Sequence, residues 1–353
     1  MNYNKQRKNI LQWYQSENRE MPWRGESDPY KVWLSEIMLQ QTQVNTVIDY
    51  YYKWLKRFPT FKDVAYASQD EVLKYWEGLG YYSRARNFHQ SCKILVEENK
   101  DIPKGVAEFM ELKGVGEYIA AAVQSICFNA PVGVIDGNVN RVASRVKMFT
   151  EPPLKNKKKI SVYVDQILDK KIPGDFNQAL MDLGRYICKP QNPDCESCPI
   201  QFDCQSYKHS TQGQFPVKEA KNPRPHYDVA VGIIWNNNQL LITKRKEQGL
   251  LGGLWEFPGG KMQKQESPKQ AVKREIYEEL SIQIKPKTMI HQVKHEYSHF
   301  SVTINAVSCI YSGGDIQLNG PTDYKWIQTS DFQEFAFPKA SIKLFDAIKE
   351  YQC

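Results

Sequence analysis

Four cysteines crowd one short stretch of this chain. Cys188-x6-Cys195-x2-Cys198-x5-Cys204 places half of its 8 cysteines within 17 residues, while Cys92, Cys127, Cys309 and Cys353 are scattered. Four thiolates so spaced suit zinc or an iron–sulfur cluster. Zinc ribbons usually show two close pairs, and only Cys195 and Cys198 are two apart. Unliganded thiols this close would be oxidation-prone, and a secreted disulfide scaffold would be shorter and evenly cysteine-rich, so a metal centre is expected. Glu36 stands in the apolar run Trp33-Leu34-Ser35-Glu36-Ile37-Met38. Either it faces water, or burial raises its pKa and keeps it protonated, as a general acid requires. Asp136, in Val134-Ile135-Asp136-Gly137-Asn138-Val139, sits just before a helix, where an ordinary N-cap is the default role. Leu112-Lys113-Gly114-Val115-Gly116 precedes a further helix; two glycines permit a tight turn, and the helix-start amides can face a phosphate.

These residues need a scaffold, and the periodicity supplies one. Asp28-Pro29 reads as a helix start, and Tyr30, Trp33, Leu34, Ile37 and Met38 fall on one helical face. Helical patterns continue through 45–58, 70–76, 83–97, 117–128, 139–148 and 162–168. Residues His209 to Pro225 hold three prolines and mostly polar side chains, which predicts a linker. Beyond it the period changes to two. Val229, Val231, Ile233 and Trp235 alternate, Asn236-Asn237-Asn238 turns, and Leu240 and Ile242 alternate again, a hairpin. Phe300, Val302, Ile304 and Ala306 repeat the pattern, and 268–280 between them has helical spacing.

A length of 353 residues suits two domains or three, and 41% apolar with 25% charged residues is an ordinary globular mix that excludes a disordered, collagen-like or coiled-coil chain. No apolar run approaches the ~20 residues of a bilayer span, and the polar start MNYNKQRKNI has no secretory core, so an intracellular protein with no membrane partner is expected. Lys and Arg exceed Asp and Glu by 47 to 40, a net +7 that permits nucleic-acid binding without establishing it. The run Lys155 to Lys159 reads as a solvated charged face or as a phosphate contact.

The string WLSEIMLQQTQV at 33–44, GLGYYSRARN at 78–87, the glycine hairpin, the segment around Asp136 and the cysteine loop together resemble MutY-type adenine DNA glycosylases of the endonuclease III superfamily. The resemblance covers residues 10–205. It implies an all-α helix-hairpin-helix glycosylase domain with an iron–sulfur loop (1–208), a linker (209–225), and an α+β Nudix-like domain (226–353). One [4Fe–4S] cluster on Cys188, Cys195, Cys198 and Cys204 is implied with it. The implied substrate is duplex DNA with adenine opposite 8-oxoguanine or guanine, the adenine being flipped from the stack. Glu36 would protonate adenine N7 and ionised Asp136 would stabilise or trap the oxocarbenium ion, with Tyr118 and Asn138 completing the catalytic group. Gln41 and Tyr81 match wedging residues, Thr42 a neighbour of the lesion, Gly114, Val115 and Gly116 the DNA-binding hairpin, and Trp23, Arg24 and Gln178 the adenine pocket. Strand-cutting relatives carry a lysine where this chain has Tyr118, so a monofunctional enzyme is expected. The resemblance also implies a monomer in the nucleoid-containing cytoplasm.

In the second domain, Tyr297-Ser298-His299 resembles the family's FSH lesion-reading loop, with Tyr297 in place of phenylalanine and Ser298 as the hydrogen-bonding residue. Gly260-x5-Glu266-x7-Arg274-Glu275-Ile276-x-Glu278-Glu279-x-Ser281-Ile282 resembles the Nudix box except that Ser281 replaces glycine. Glu275, Glu278 and Glu279 at i, i+3 and i+4 are therefore a candidate Mg²⁺ site for hydrolysis of a nucleoside diphosphate derivative, against the alternative of a solvated acidic helix.

Overall fold

The computed structural model describes residues 1–17, 20–219 and 223–352. The chain divides into two compact units, one of residues 1–62 and 90–221, the other of 63–89 and 222–353. The division does not follow the sequence boundary alone: residues 63–89 lie within the helical stretch of the sequence, yet pack with the C-terminal part.

The first unit is helical. Its helix Pro29–Leu39 starts as the sequence dictates, with Asp28 accepting the Tyr30 N–H and Pro29 at the first position, where no N–H is needed. The helix Gly137–Lys147 carries the apolar stripe Val139, Val142, Ala143 and Val146, all buried against Phe176, Ala179, Leu180 and Leu183. Each fully buried large aliphatic side chain there contributes about 1.5–3 kcal/mol, so a charge at Val142 would break the core. Cys188, Cys198 and Cys204 pack on the same cluster. Part of the expected linker is ordered: Phe215 is buried, and Arg145 Nε donates to the Gln212 and Phe215 carbonyls, each at 3.0 Å. Residues 220–222 of that stretch lie outside the described residues.

The second unit is built on a mixed sheet of β1 (His226–Asn236), β2 (Gln239–Lys244), β3 (Trp255–Glu256), β4 (Gly259–Lys261), β5 (Gln283–Glu296), β6 (Ser301–Gly313) and β7 (Asp323–Ile327). The order is β3-β2-β1-β6-β5, with β4 paired to β1 and β7 to β2. The hairpin expected at 236–238 forms, with Asn236 opposite Gln239 and Asn237 left-handed at φ 53°. β1 is not half-exposed as its alternation suggests. Ala230, Ile233 and Ile234 are all buried, because one core lies on each face of the sheet and β1 pairs in parallel with β6. The helix Pro268–Leu280 covers one face and ends at Ser281, which adopts φ 56°. That left-handed cap favours glycine, and Asn319 Nδ2 donates to the Ser281 hydroxyl at 3.1 Å.

Residues 63–89 join this unit through named contacts. Lys244 pairs with Asp70 at 2.5 Å, Lys74 Nζ donates to the Phe335 carbonyl at 2.9 Å, and the Phe337 N–H donates to Glu77 at 2.8 Å.

Candidate active site and cluster loop

A cavity of about 390 Å³ in the helical unit is lined by Trp23, Arg24, Glu36, Thr42, Tyr118, Asp136 and Asn138, together with Met181, Asp182 and Arg185. That volume lies in the range of small-ligand sites. The sequence run around Glu36 places its side chain on the buried side of the helix, 5% exposed. Burial drives its pKa upward; the Tyr118 hydroxyl donates to its Oε2 and Arg24 opposes the rise, while the Asp136 charge adds to it. The alternative of a solvated glutamate is thereby excluded.

Asp136 is both an N-cap and a cavity carboxylate. It accepts the Val139 N–H at 2.7 Å and the Asn138 amide at 2.7 Å. Burial raises its pKa, and these two donors and Arg141 oppose the rise. Each carboxyl has a guanidinium nearby, but they differ in hydrogen-bond donors: Glu36 has one phenol, Asp136 a backbone amide and a side-chain amide. Burial raises both, and the additional donor at Asp136 opposes the rise there more directly.

Arg24 donates to Gln178 and, at 2.7 Å, to Asp182. Asp182 was not anticipated from sequence. Its signal was the one that marked Glu36: a carboxylate inside a buried helical stretch, here the helix Pro173–Asp182. Gln178 is buried behind Arg24, and Gln41 is exposed with φ 56°. The hairpin turns at Gly114, φ 79°, and Gly116, the N-cap of the helix Glu117–Phe128, has no side chain to cap its first amides. Ser91 holds the hairpin through the Lys113 carbonyl at 3.0 Å. Of the basic run, Lys157 pairs with Glu117 at 2.7 Å, both groups exposed.

The four cysteines line one apolar hollow with Val142, Val146, Leu183, Ile187 and Ile200. Arg145 donates to Cys188 Sγ at 3.3 Å and Gln212 to Cys195 Sγ at 3.7 Å. Among the described residues no three His, Cys, Asp or Glu side chains are grouped to hold a single ion. All four thiols line that one hollow, and four thiolates are the donor set an iron–sulfur cluster takes. A continuous path ties this loop to Asp136: Arg141 donates to the Cys188 carbonyl at 2.8 Å and to Asn138 Oδ1 at 2.8 Å, and Asn138 donates to Asp136. Gly184 makes the path possible, since a Cβ there would stand 2.6 Å from Asn138 Cβ.

In the other unit, a pocket of about 380 Å³ brings together Tyr81, Tyr297, Ser298 and His299. Tyr81 and Ser298 share a hydroxyl–hydroxyl hydrogen bond. Tyr297 stacks on Phe300 with centroids 4.7 Å apart, and burial pushes its phenol up to about 12.

The Nudix-like carboxylates are engaged within the protein. Arg274 binds Glu266 at 2.8 Å, Glu275 at 2.7 Å and Glu278 at 3.2 Å. Glu279 has a different setting, raised to about 7 by burial and by the charges of Glu256 and Glu275.

Fold and site define a class. Residues 34–166 match the model of the HhH-GPD superfamily base excision DNA repair proteins, 188–204 the iron–sulfur binding domain of endonuclease III, and 230–347 the NUDIX domain. A thermostable thymine-DNA glycosylase structure is 27% identical over 58% of this chain and 98% of its own, with TM-score 0.54. An endonuclease III–DNA complex, at 22% identity and TM-score 0.51, shares the fold. The adenine DNA glycosylase of Rattus norvegicus is 32% identical, covering 98% of this chain and 78% of the relative. That of Buchnera aphidicola subsp. Baizongia pistaciae is 33% identical, over 97% and 96%. The chain belongs to the adenine DNA glycosylase family. Its cofactor is a [4Fe–4S] cluster, which Cys188, Cys195, Cys198 and Cys204 would ligate.

Proposed function

We propose that this protein hydrolyses the N-glycosidic bond of adenine mispaired with 8-oxoguanine or guanine in duplex DNA, acting inside the cell as a monomer. The observation that carries the reading is the pairing of Glu36 and Asp136 in one cavity, one buried against a phenol and the other held by amide donors. Adenine extruded from the stack enters this cavity, with Trp23 and Arg24 as its walls. Glu36 gives its proton to N7, so the base leaves as a neutral purine. Tyr118 orients that carboxyl. Asp136, ionised, faces the positive charge that grows on the sugar and stabilises or captures it at C1′. Water then completes hydrolysis and leaves an abasic site. No amine stands where Tyr118 does, so strand cleavage does not follow. The hairpin amides at Gly116 hold a backbone phosphate, and the cluster, when bound, shapes the cysteine loop as a further DNA contact. Gln41 and Thr42 attend the opened mispair, and Tyr81 with Tyr297, Ser298 and His299 reads the opposite base.

The test is incubation of the full chain with duplexes carrying A opposite 8-oxoguanine, G, C or T, followed by alkali. Alkali-labile sites are expected opposite 8-oxoguanine first and G second. Equal cutting opposite all four, or none, rejects the reading.

A further inference from the structure

The pocket that holds Tyr81 and Ser298 has another wall that no motif marks, the loop Glu247–Gly253. Leu250 and Leu251 line the pocket, Leu250 with 55% of its surface exposed. Leu251 beside it takes φ 56°, which costs a non-glycine residue about 1–2 kcal/mol and persists only where the surroundings impose it.

The surroundings do impose it. Arg86 Nη1 donates to the Gly252 carbonyl at 2.6 Å, and Gln69 donates to Glu247 at 3.2 Å. Arg245 Nε fixes the Leu250 carbonyl at 3.2 Å. Gly252 and Gly253 let the backbone come this close. A Cβ on Gly252 would stand 2.1 Å from the Glu247 carbonyl oxygen, and one on Gly253 would stand 3.0 Å from Gln69 and 3.2 Å from Leu73. The loop is therefore docked on residues 69–86 and held open toward the pocket.

We propose that Leu250 and Leu251 form an apolar wall against the base opposite adenine, and that Arg86 is the positioning residue that holds this wall. The inference rests on the function proposed above and adds a specificity element to it. 8-Oxoguanine differs from guanine by a carbonyl at C8 and a proton on N7, both polar and both well solvated when the base is exposed. A hydroxyl can tell the two bases apart strongly only where water does not compete. Tyr297, stacked on Phe300, supplies one dry surface. Leu250 and Leu251, which line the same pocket as Ser298, supply a second. Without them the Ser298 hydroxyl would exchange with solvent and the two bases would be told apart less well.

The experiment is single-turnover adenine excision by the full chain on A:8-oxoguanine and A:G duplexes, read as the ratio of the two rates. Leu250→Ala and Arg86→Ala should each lower that ratio about tenfold. Arg86→Lys should recover part of it, because a cation can still reach the Gly252 carbonyl. Thermal unfolding of each variant monitors the fold, and Leu250, being exposed, is the variant least able to disturb it. A ratio within twofold of wild type in Leu250→Ala overturns the proposal while leaving adenine excision standing. A wild-type chain that releases no adenine from either duplex overturns both.

Discussion

Replacing Glu36 by glutamine should move activity and stability in opposite directions. The amide keeps the size of the side chain, and its oxygen can still accept the Tyr118 hydroxyl, so the helix Pro29–Leu39 has no reason to shift. What is lost is the proton. General acid catalysis is worth about 10²–10⁴ in rate, or about 3–5 kcal/mol of barrier. Excision of adenine should fall by that factor while duplex binding stays. For stability the sign follows from the raised pKa of the buried carboxyl, whose first cause is desolvation. In acid, folded and unfolded chains are both protonated at this position. As pH rises through the ordinary carboxylate range the unfolded chain ionises first, so the folded state loses stability until its own higher pKa is passed. Glutamine removes this slope. Urea unfolding should show the variant equal to wild type in acid and more stable in mild alkali. A variant that excises adenine at the wild-type rate would remove Glu36 from the chemistry. One destabilised equally at every pH would mean a packing residue only.

Asp136→Asn should keep duplex affinity and lose excision by more than 10²-fold, since an amide cannot oppose positive charge on the sugar; retained turnover in a single-turnover assay counts against the role. Cys198→Ala should abolish the visible absorbance of the iron–sulfur cluster and weaken duplex binding. Through Arg141 and Asn138 it should also slow excision on DNA already bound; a colourless protein with full activity would break that link. Glu279→Gln should stabilise the protein by about 3 kcal/mol at most at pH 8 and not at pH 4, because its carboxyl is held up at about 7 and ionises at a cost above that. If this helix takes Mg²⁺, the ion should raise the wild-type melting temperature at pH 8 and not that of the variant. No Mg²⁺ effect in either protein rejects the metal.

Much of the candidate site is legible in the chain because its signals are local. Asp28-Pro29 announces its helix, and Glu36 stands out as a charge inside an apolar period. Asp136 announces only a cap, and the second role depends on the cavity beyond it. Asp182 carries the same kind of signal as Glu36, but its partner Arg24 lies far away in sequence and no local pattern links the two. The spacing of Glu275, Glu278 and Glu279 suits the helix Pro268–Leu280 that carries them, but it cannot say that Arg274 turns toward Glu275 and Glu278. The two-faced burial of β1 was hidden for a similar reason: alternation records one face, and a parallel neighbour is set by topology. The Glu247–Gly253 loop had no pattern at all, since its shape comes from glycines that tolerate close approach.

The membership of residues 63–89 in the C-terminal unit bears on any attempt to split this protein. Severing the chain between 209 and 225 would not release two native halves. The C-terminal fragment would leave without Asp70, Lys74, Glu77 and Arg86, and the backbone groups at Phe335, Phe337 and Gly252 would have only water to bond. The helical fragment would keep a stretch with Val72, Leu73 and Trp76, side chains that are fully covered in the intact chain. Insolubility of either piece would then report a cut through one compact unit and say nothing about what the Tyr81–Ser298 pocket binds, which makes point substitution the sounder route to testing that pocket.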